Sequence, residues 1–160
     1  MRRATVFPSR AHRLAFALWL AVTLPASGAQ AVVVVNQPWV KPAVAGASTE
    51  AYMNLTATEG ATLVAVRSDN AAGVTLHRPG NVTRTTDELA LPPRTMVELA
   101  PGKYRISLRR LSNAVKLGDI VPLTLTIKDA DGAEHDIAVS AVGRLRSPVD
   151  DERRAHKRRH

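Results

Sequence analysis

Apolar and polar residues alternate along much of the chain, in short segments bounded by turn residues. The segment YRISLRRL shows the pattern clearly, because Tyr104, Ile106 and Leu108 would lie on one face of an extended strand. Arg105 and Ser107 would then lie on the opposite face. The alternation therefore predicts a β-strand with one apolar and one polar face.

Similar segments recur at intervals of roughly 8 to 14 residues and predict about eight or nine strands. The predicted strands are AVVVVNQPWV, TEAYMNLTAT, ATLVAVRS, VTLH, VTRTT, TMVELA, KYRISLRRL, IVPLTLTIKD and AEHDIAVSAV. Pro38 is expected to end or kink the first strand, and the two prolines of DELALPPR indicate a connection there. No window shows a helical period with caps. The pattern thus predicts an all-β sandwich.

Residues 1–31 have the three parts of a secretory signal peptide. A basic start, MRRATVFPSRAHR, precedes an apolar run of eleven residues, LAFALWLAVTL, and the small-residue segment PASGAQA. Cleavage is expected after Ala29 or Ala31, and an uncleaved anchor is the alternative. The run is shorter than the roughly 20 residues that span a bilayer, so no integral membrane segment is expected in the mature chain. We therefore expect an exported, periplasmic protein.

The sequence contains no cysteine. A lipid anchor, a disulfide and a thiolate metal site are therefore excluded. The fold must be held together by burial and backbone pairing alone.

The net charge of +8 is concentrated at the two ends of the chain. Residues 32–143, the expected single domain, hold 11 basic and 11 acidic residues and are neutral. A neutral domain lacks the basic surface that nucleic acid requires, so no nucleic-acid partner is expected. Residues 144–160 hold seven basic and three acidic residues and are predicted to form a disordered tail that can contact anionic surfaces.

Three motifs together resemble the periplasmic copper chaperones called PCu(A)C. They are the Trp-Val of VNQPWV, the Leu-His that ends AAGVTLH, and the long block PPRTMVELAPGKYRISLRRLSNAVKLGDIVPLTLTI. The resemblance extends from about Val33 to Val142. It implies a cupredoxin-like Greek-key β-sandwich, in agreement with the strand pattern.

The resemblance also implies a copper site made of His and Met. Its pattern is a His, a Met about a dozen residues later, and then His-x-Met. The first position matches His77, the Met position falls near Thr83, and the His-x-Met positions fall on Arg105 and Ser107. A guanidinium cannot ligate a metal, and a hydroxyl is a poor partner for soft Cu(I). His77 is therefore the one family ligand retained and our metal-ligand candidate.

The other histidines and methionines are weaker candidates. Met96 lies on a polar strand face and offers a single thioether, whereas Met53 alternates with apolar positions and is expected in the core. His135, in the sequence EHD, is expected at a solvated turn edge rather than in a metal site. His156 and His160 in the tail could capture Cu(II) or Zn(II).

These observations favour an exported copper-chaperone-like protein. By resemblance, its cofactor would be Cu(I), and its partner a copper-receiving oxidase subunit or assembly factor. One alternative is an interaction module that kept the scaffold and lost the metal, and another is weak Cu or Zn capture by the tail. Arg105 and Arg109, with Arg78 and Arg84, could also form a basic patch for an acidic partner or small anion. No catalytic motif is present, so an enzyme is not expected.

Overall fold

The computed structural model describes residues 31–80 and 83–148, and this part of the chain contains ten strands. The strands are β1 (Val33–Val40), β2 (Thr49–Ala57), β3 (Ala61–Arg67), β4 (Ala71–His77), β5 (Thr85–Thr86), β6 (Leu89–Leu91), β7 (Met96–Leu99), β8 (Arg105–Leu111), β9 (Ile120–Asp129) and β10 (Glu134–Gly143). The predicted all-β class is confirmed. No helix in these residues is long and apolar enough to cross a membrane.

The strands form one continuous sheet in the order β5-β4-β8-β2-β1-β10-β9-β3-β6, with β7 also paired to β2. β1 joins the two halves, because it pairs antiparallel with β2 and parallel with β10. The two halves bury a single apolar core to which both contribute. The core forms because each strand turns alternate side chains inward; in β9 the buried residues are Val121, Leu123, Leu125 and Ile127. The predicted single-domain β-sandwich is thereby confirmed.

The segment DELALPPR contains a short strand that its prolines did not indicate. Its Leu89–Leu91 portion forms β6, with both leucines buried against β3. Pro92 and Pro93 follow the strand and therefore do not interrupt its ladder. The prediction of a connection over the whole segment was wrong for this reason.

Irregular backbone at two places decides which side chains are buried. Gln37 has a φ of 50°, and the β1–β2 register shifts between Asn36 and Trp39, so that Pro38 kinks β1 rather than ending it. Arg110 also has a positive φ, 50°, near the end of β8. The simple alternation of YRISLRRL stops there, because Leu111 is buried three positions after Leu108.

Candidate functional site

The register of three neighbouring strands gathers the residues that the sequence singled out. β8 lies between β4 and β2, and His77 is the direct cross-strand neighbour of Arg105. Ser107 pairs with Glu50 on the other side. These four side chains contribute to a cleft of about 440 Å³, whose lining residues are Lys41, Pro42, Ser48, Thr49, Glu50, His77, Arg105 and Ser107. The structure thus brings His77, Arg105 and Ser107 together, as the family pattern implied.

A carboxylate that the sequence did not single out stands at the centre of this cleft. Oε1 of Glu50 accepts a charge-assisted contact from Nε of Arg105 at 3.1 Å. Its Oε2 accepts hydrogen bonds from Nζ of Lys41 at 2.7 Å and from the hydroxyl of Tyr52 at 2.5 Å. Glu50 therefore links two cations and a phenol into one cluster, which we call the Glu50 cluster (Lys41, Glu50, Tyr52 and Arg105).

The ends of β1 and β2 hold this cluster in place. The amide of Lys41 donates to the carbonyl of Glu50 at 3.0 Å, and the hydroxyl of buried Thr49 donates to the carbonyl of Lys41 at 2.7 Å. The ring of Tyr52 packs against Trp39, with centroids 4.6 Å apart and planes tilted by 33°. Nζ of Lys41 lies 5.3 Å from the centroid of the Tyr52 ring, within cation–π range. Backbone pairing and aromatic packing together fix where the carboxylate lies.

Burial and charge oppose each other at the cluster. Burial by itself would raise the pKa of the Glu50 carboxyl, but hydrogen bonds from Lys41 and Tyr52 and the charges of Lys41 and Arg105 hold that pKa below its ordinary 4.5. Burial would lower the pKa of Lys41, yet its contacts with Glu50 and Tyr52 hold it above 10.5. Burial and the bond to Glu50 raise the pKa of the Tyr52 phenol above 10.0. All three groups therefore favour the charge states that bind one another at neutral pH.

Arg105 is largely hidden, although it lies on the polar face of β8. Its side chain is only 9% exposed, compared with 32% for Glu50. A buried guanidinium requires a nearby anion, because an uncompensated charge in this position is costly. Glu50 supplies that anion, so Arg105 is a structural part of the cleft and not a freely solvated cation.

The donor set of the cleft does not fit Cu(I). Soft Cu(I) is bound by thioether, thiolate and imidazole ligands, and among the lining residues only His77 offers one of these. Neither Met53, which is buried in the core as predicted, nor Met96, which is exposed on β7, lines the cleft. No group of three or more His, Cys, Asp or Glu side chains that could hold a metal ion occurs within residues 31–80 and 83–148. A copper ion in the cleft would also face the positive charge of Arg105.

The arginines that the sequence grouped as a basic patch are not gathered in the cleft. Arg105 alone of the four is a lining residue. Arg78 donates to the hydroxyl of Thr86 at 3.1 Å, and its amide bonds the carbonyl of Arg84 at 2.9 Å. The second cation of the cleft is Lys41. Its contact with Glu50 could not be read from the sequence, because Lys41 follows the end of β1 and Glu50 lies in β2, and only the pairing of these strands brings the two together.

A second polar pair lies at the β9–β10 hairpin. Nδ1 of His135 lies 3.5 Å from Oδ2 of Asp129, whose side chain is only 3% exposed. Neither carboxylate oxygen of Asp129 receives a hydrogen bond from the described residues. His135 is itself 25% exposed, so the expectation of a solvated turn edge was wrong. The cause is that Asp129 continues the inward-facing row of β9, and the register of the hairpin places His135 beside it.

Several sequence predictions fall outside the described residues. These are the signal peptide predicted over residues 1–31, except Ala31, and residues 149–160 of the predicted tail, which include His156 and His160. Thr83, at the predicted position of the first family Met, is described and exposed, and it does not line the cleft.

Comparison with solved structures identifies the scaffold. The apo PCuAC domain of PmoF1 matches with a TM-score of 0.61 and 21% identity, over 71% of this chain and 94% of that domain. The copper-bound PCuAC domain of PmoF2 matches with a TM-score of 0.59 and 22% identity, over 74% and 100%. Cu(I)-bound DR1885 of Deinococcus radiodurans matches with a TM-score of 0.50 and 24% identity, over 74% and 85%. At these identities the likeness establishes the fold, and it confirms the resemblance to PCu(A)C domains.

Sequence comparison gives the family. No curated protein matches the chain. The family model described as "Putative lipoprotein LpqE-like" matches residues 33–139, which include every strand from β1 to β9 and most of β10. The chain, a PCuAC-type β-sandwich, therefore belongs to the LpqE-like family.

Proposed function

We propose that this protein is an exported, non-enzymatic binding module that has the scaffold of a PCuAC copper chaperone but not its copper chemistry. The observation that carries the proposal is the contact between Arg105 and Glu50, which occupies the position where the family resemblance places a His ligand. A cation held at that position opposes a metal ion, and the two cations Lys41 and Arg105 around the one carboxylate of Glu50 favour recognition of polar or anionic groups. The cleft beside it is open and is lined by hydroxyl, imidazole and ammonium groups suited to such contacts.

Export is part of this proposal. It is supported by the signal-peptide pattern of residues 1–31 and by the family description as a putative lipoprotein. A periplasmic location follows from the same pattern. The absence of cysteine from the sequence suits an oxidising compartment.

The competing function is Cu(I) binding and delivery to an oxidase subunit or its assembly factor, with His77 as a ligand. The presence of His77 among the cleft residues favours it, and the charge of Arg105 opposes it. The two functions differ in one measurable quantity, which is the affinity of the intact exported chain for Cu(I).

The test is a titration of the exported chain, residues 30–160, with Cu(I) in the presence of a competing chelator. We expect the protein to take no copper from the chelator, and His77→Ala and Met96→Ala to behave as the parent does. Stoichiometric Cu(I) binding that His77→Ala abolishes and Met96→Ala preserves would establish the copper function instead. Binding that is lost only when residues 149–160 are removed would assign the metal to the tail.

A further inference from the structure

The most exposed large apolar side chains of the described residues are concentrated at one end of the sandwich. They are Val44, Leu117, Ile120 and Leu145, which are between 62% and 71% exposed. Single exposed apolar residues are common on soluble proteins, but a cluster of them marks a contact surface. We call these four residues the end patch.

Backbone hydrogen bonds connect the segments that carry the end patch. The loop of Val44 is joined to the loop of Leu117 through Ala43 and Val115, whose amides and carbonyls bond each other at 3.0 and 2.8 Å. The amide of Gly118 donates to the carbonyl of Gly143 at 2.9 Å, which ties the same loop to the segment of Leu145. Leu117 and Leu145 also line one shallow groove.

Gly143 makes this arrangement rigid. A Cβ atom at this position would lie 2.0 Å from the carbonyl oxygen of Lys116, so only glycine permits the two backbones to approach. The carboxylate of Asp119 accepts the amide of Lys116 at 2.8 Å and closes the turn between them. The apolar side chains of the end patch are therefore presented by a fixed frame.

Basic residues flank two members of the end patch. Lys116, Arg144 and Arg146 are all exposed next to Leu117 and Leu145 in the chain, and the carboxylate of the nearby Asp119 is engaged in the turn. The polypeptide also leaves the sandwich here, and residues 144–160 have an excess of four positive charges by sequence. Protruding apolar side chains with cations beside them are the chemistry of a protein surface that binds anionic lipid.

We propose that the end patch docks on an anionic membrane surface. The family is described as one of putative lipoproteins, yet these 160 residues contain no cysteine to carry a lipid. Peripheral binding through Leu117 and Leu145, with the basic residues facing lipid phosphates, would hold this protein at a membrane. The loop 41–48 that carries Val44 also borders the cleft, so docking would orient the cleft toward the membrane.

Vesicle co-sedimentation of the exported chain tests this proposal. We expect binding to vesicles of phosphatidylcholine with phosphatidylglycerol, weak binding to pure phosphatidylcholine, and a decrease in affinity as salt screens the charges. The pair L117S/L145S and the pair K116Q/R146Q should each weaken binding by about tenfold or more. Because these side chains are exposed, the variants should keep the melting temperature of the parent.

Matched controls are available elsewhere on the sandwich. M96S removes from β7 an apolar side chain that is 56% exposed, and K128Q removes an exposed cation from β9; both variants should bind as the parent does. The proposal is overturned if the exported chain fails to bind anionic vesicles, as expected if a protein partner covers the end patch. It is also overturned if L117S/L145S binds as the parent does. If, in that case, removal of residues 149–160 abolishes binding, the tail and not the end patch binds the lipid.

Discussion

Arg105 and Glu50 contact each other across neighbouring strands, with Nε and Oε1 3.1 Å apart. Glu50 faces the cleft from β2, where Ser107 is its register partner, and Arg105 enters from β8 beside His77. This ion pair occupies the position that the family resemblance assigns to a metal ligand. Stability, pH response and metal affinity of the protein should all depend on it.

The first prediction concerns the carboxylate of the pair. Glu50→Ala would leave the buried side chain of Arg105 without its anion and deprive Lys41 and Tyr52 of their acceptor. We expect the free energy of unfolding to decrease by about 2 to 3 kcal/mol, less than the roughly 3 to 5 kcal/mol of a fully buried pair because Glu50 is partly exposed. Denaturant unfolding followed by the fluorescence of Trp39 measures the change.

Glu98→Ala is the matched control. Glu98 also lies on a strand paired with β2 and binds a lysine, Lys103, but the side chain of that lysine is 56% exposed, whereas that of Arg105 is 9% exposed. Its loss should cost less than about 1 kcal/mol. Equal losses for the two variants would show that the Glu50 contact is no more than a surface pair.

The second prediction concerns pH. The folded protein holds the pKa of Glu50 below its ordinary 4.5, so in acid the unfolded chain binds a proton more readily than the folded one. The stabilisation from this carboxylate is therefore present above about pH 4.5 and is lost as the pH falls through the lower folded pKa. Lys41 and Tyr52 have raised pKa values, so their contribution persists up to about pH 10 and is lost above it.

Unfolding measurements between about pH 3 and 7 on the parent and on Glu50→Gln test the acid limb. The stability difference between the two proteins should be largest near neutral pH and should shrink as the pH falls. A difference that stays constant over this range would contradict the assigned role of Glu50. The exposed Asp136, whose pKa is lowered by the hydrogen bond from Thr126, contributes equally to both proteins and cancels.

The third prediction is that a copper site can be built into the cleft. Direct cross-strand neighbours lie within about 5.5 Å at their Cα atoms, so the imidazole that R105H introduces would face His77. The thioether that S107M introduces would lie on the same face of β8. The double variant R105H/S107M should bind Cu(I) at least about tenfold more tightly than the parent, a gain of about 1.4 kcal/mol.

A single variant and a triple variant provide the controls for this design. R105M removes the same positive charge and introduces a thioether without the second imidazole, so it should gain less affinity than R105H/S107M. Adding His77→Ala to the double variant should reverse the gain. If R105H/S107M binds copper no better than the parent does, the charge and donor set of the cleft are not what excludes the metal.

The fourth prediction concerns the pair at the β9–β10 hairpin. His135→Ala removes the imidazole whose Nδ1 lies 3.5 Å from Oδ2 of Asp129, a side chain only 3% exposed, and should lower the stability by about 2 kcal/mol. In the background of Asp129→Asn, the same change should cost at least about 1 kcal/mol less, because the buried charge is gone. A double-mutant cycle from denaturant unfolding measures this coupling. Glu134→Ala, at an exposed neighbouring position, should change the stability by no more than about 0.5 kcal/mol.

Sequence alone predicted most of the strands, because alternation is a property of neighbouring residues and needs no knowledge of the partner strand. It failed locally at DELALPPR, where two prolines hid the three-residue strand β6 in front of them. It also misplaced His135, because the burial of a hairpin side chain depends on the row of residues opposite, and that row ends in Asp129.

The sequence by itself determined the all-β class, the family resemblance, and the presence of Arg105 and Ser107 where copper ligands are expected. Only the tertiary structure decided what replaces the ligands, because the partner of Arg105 is set by the register between β8 and β2, and not by any local pattern. The end patch has the same origin, since the loops that carry Val44, Leu117 and Leu145 meet only after the strands have paired. The sequence gives the residue types and the alternation within each strand, whereas the contacts of the cleft and of the end patch form only when the strands pair.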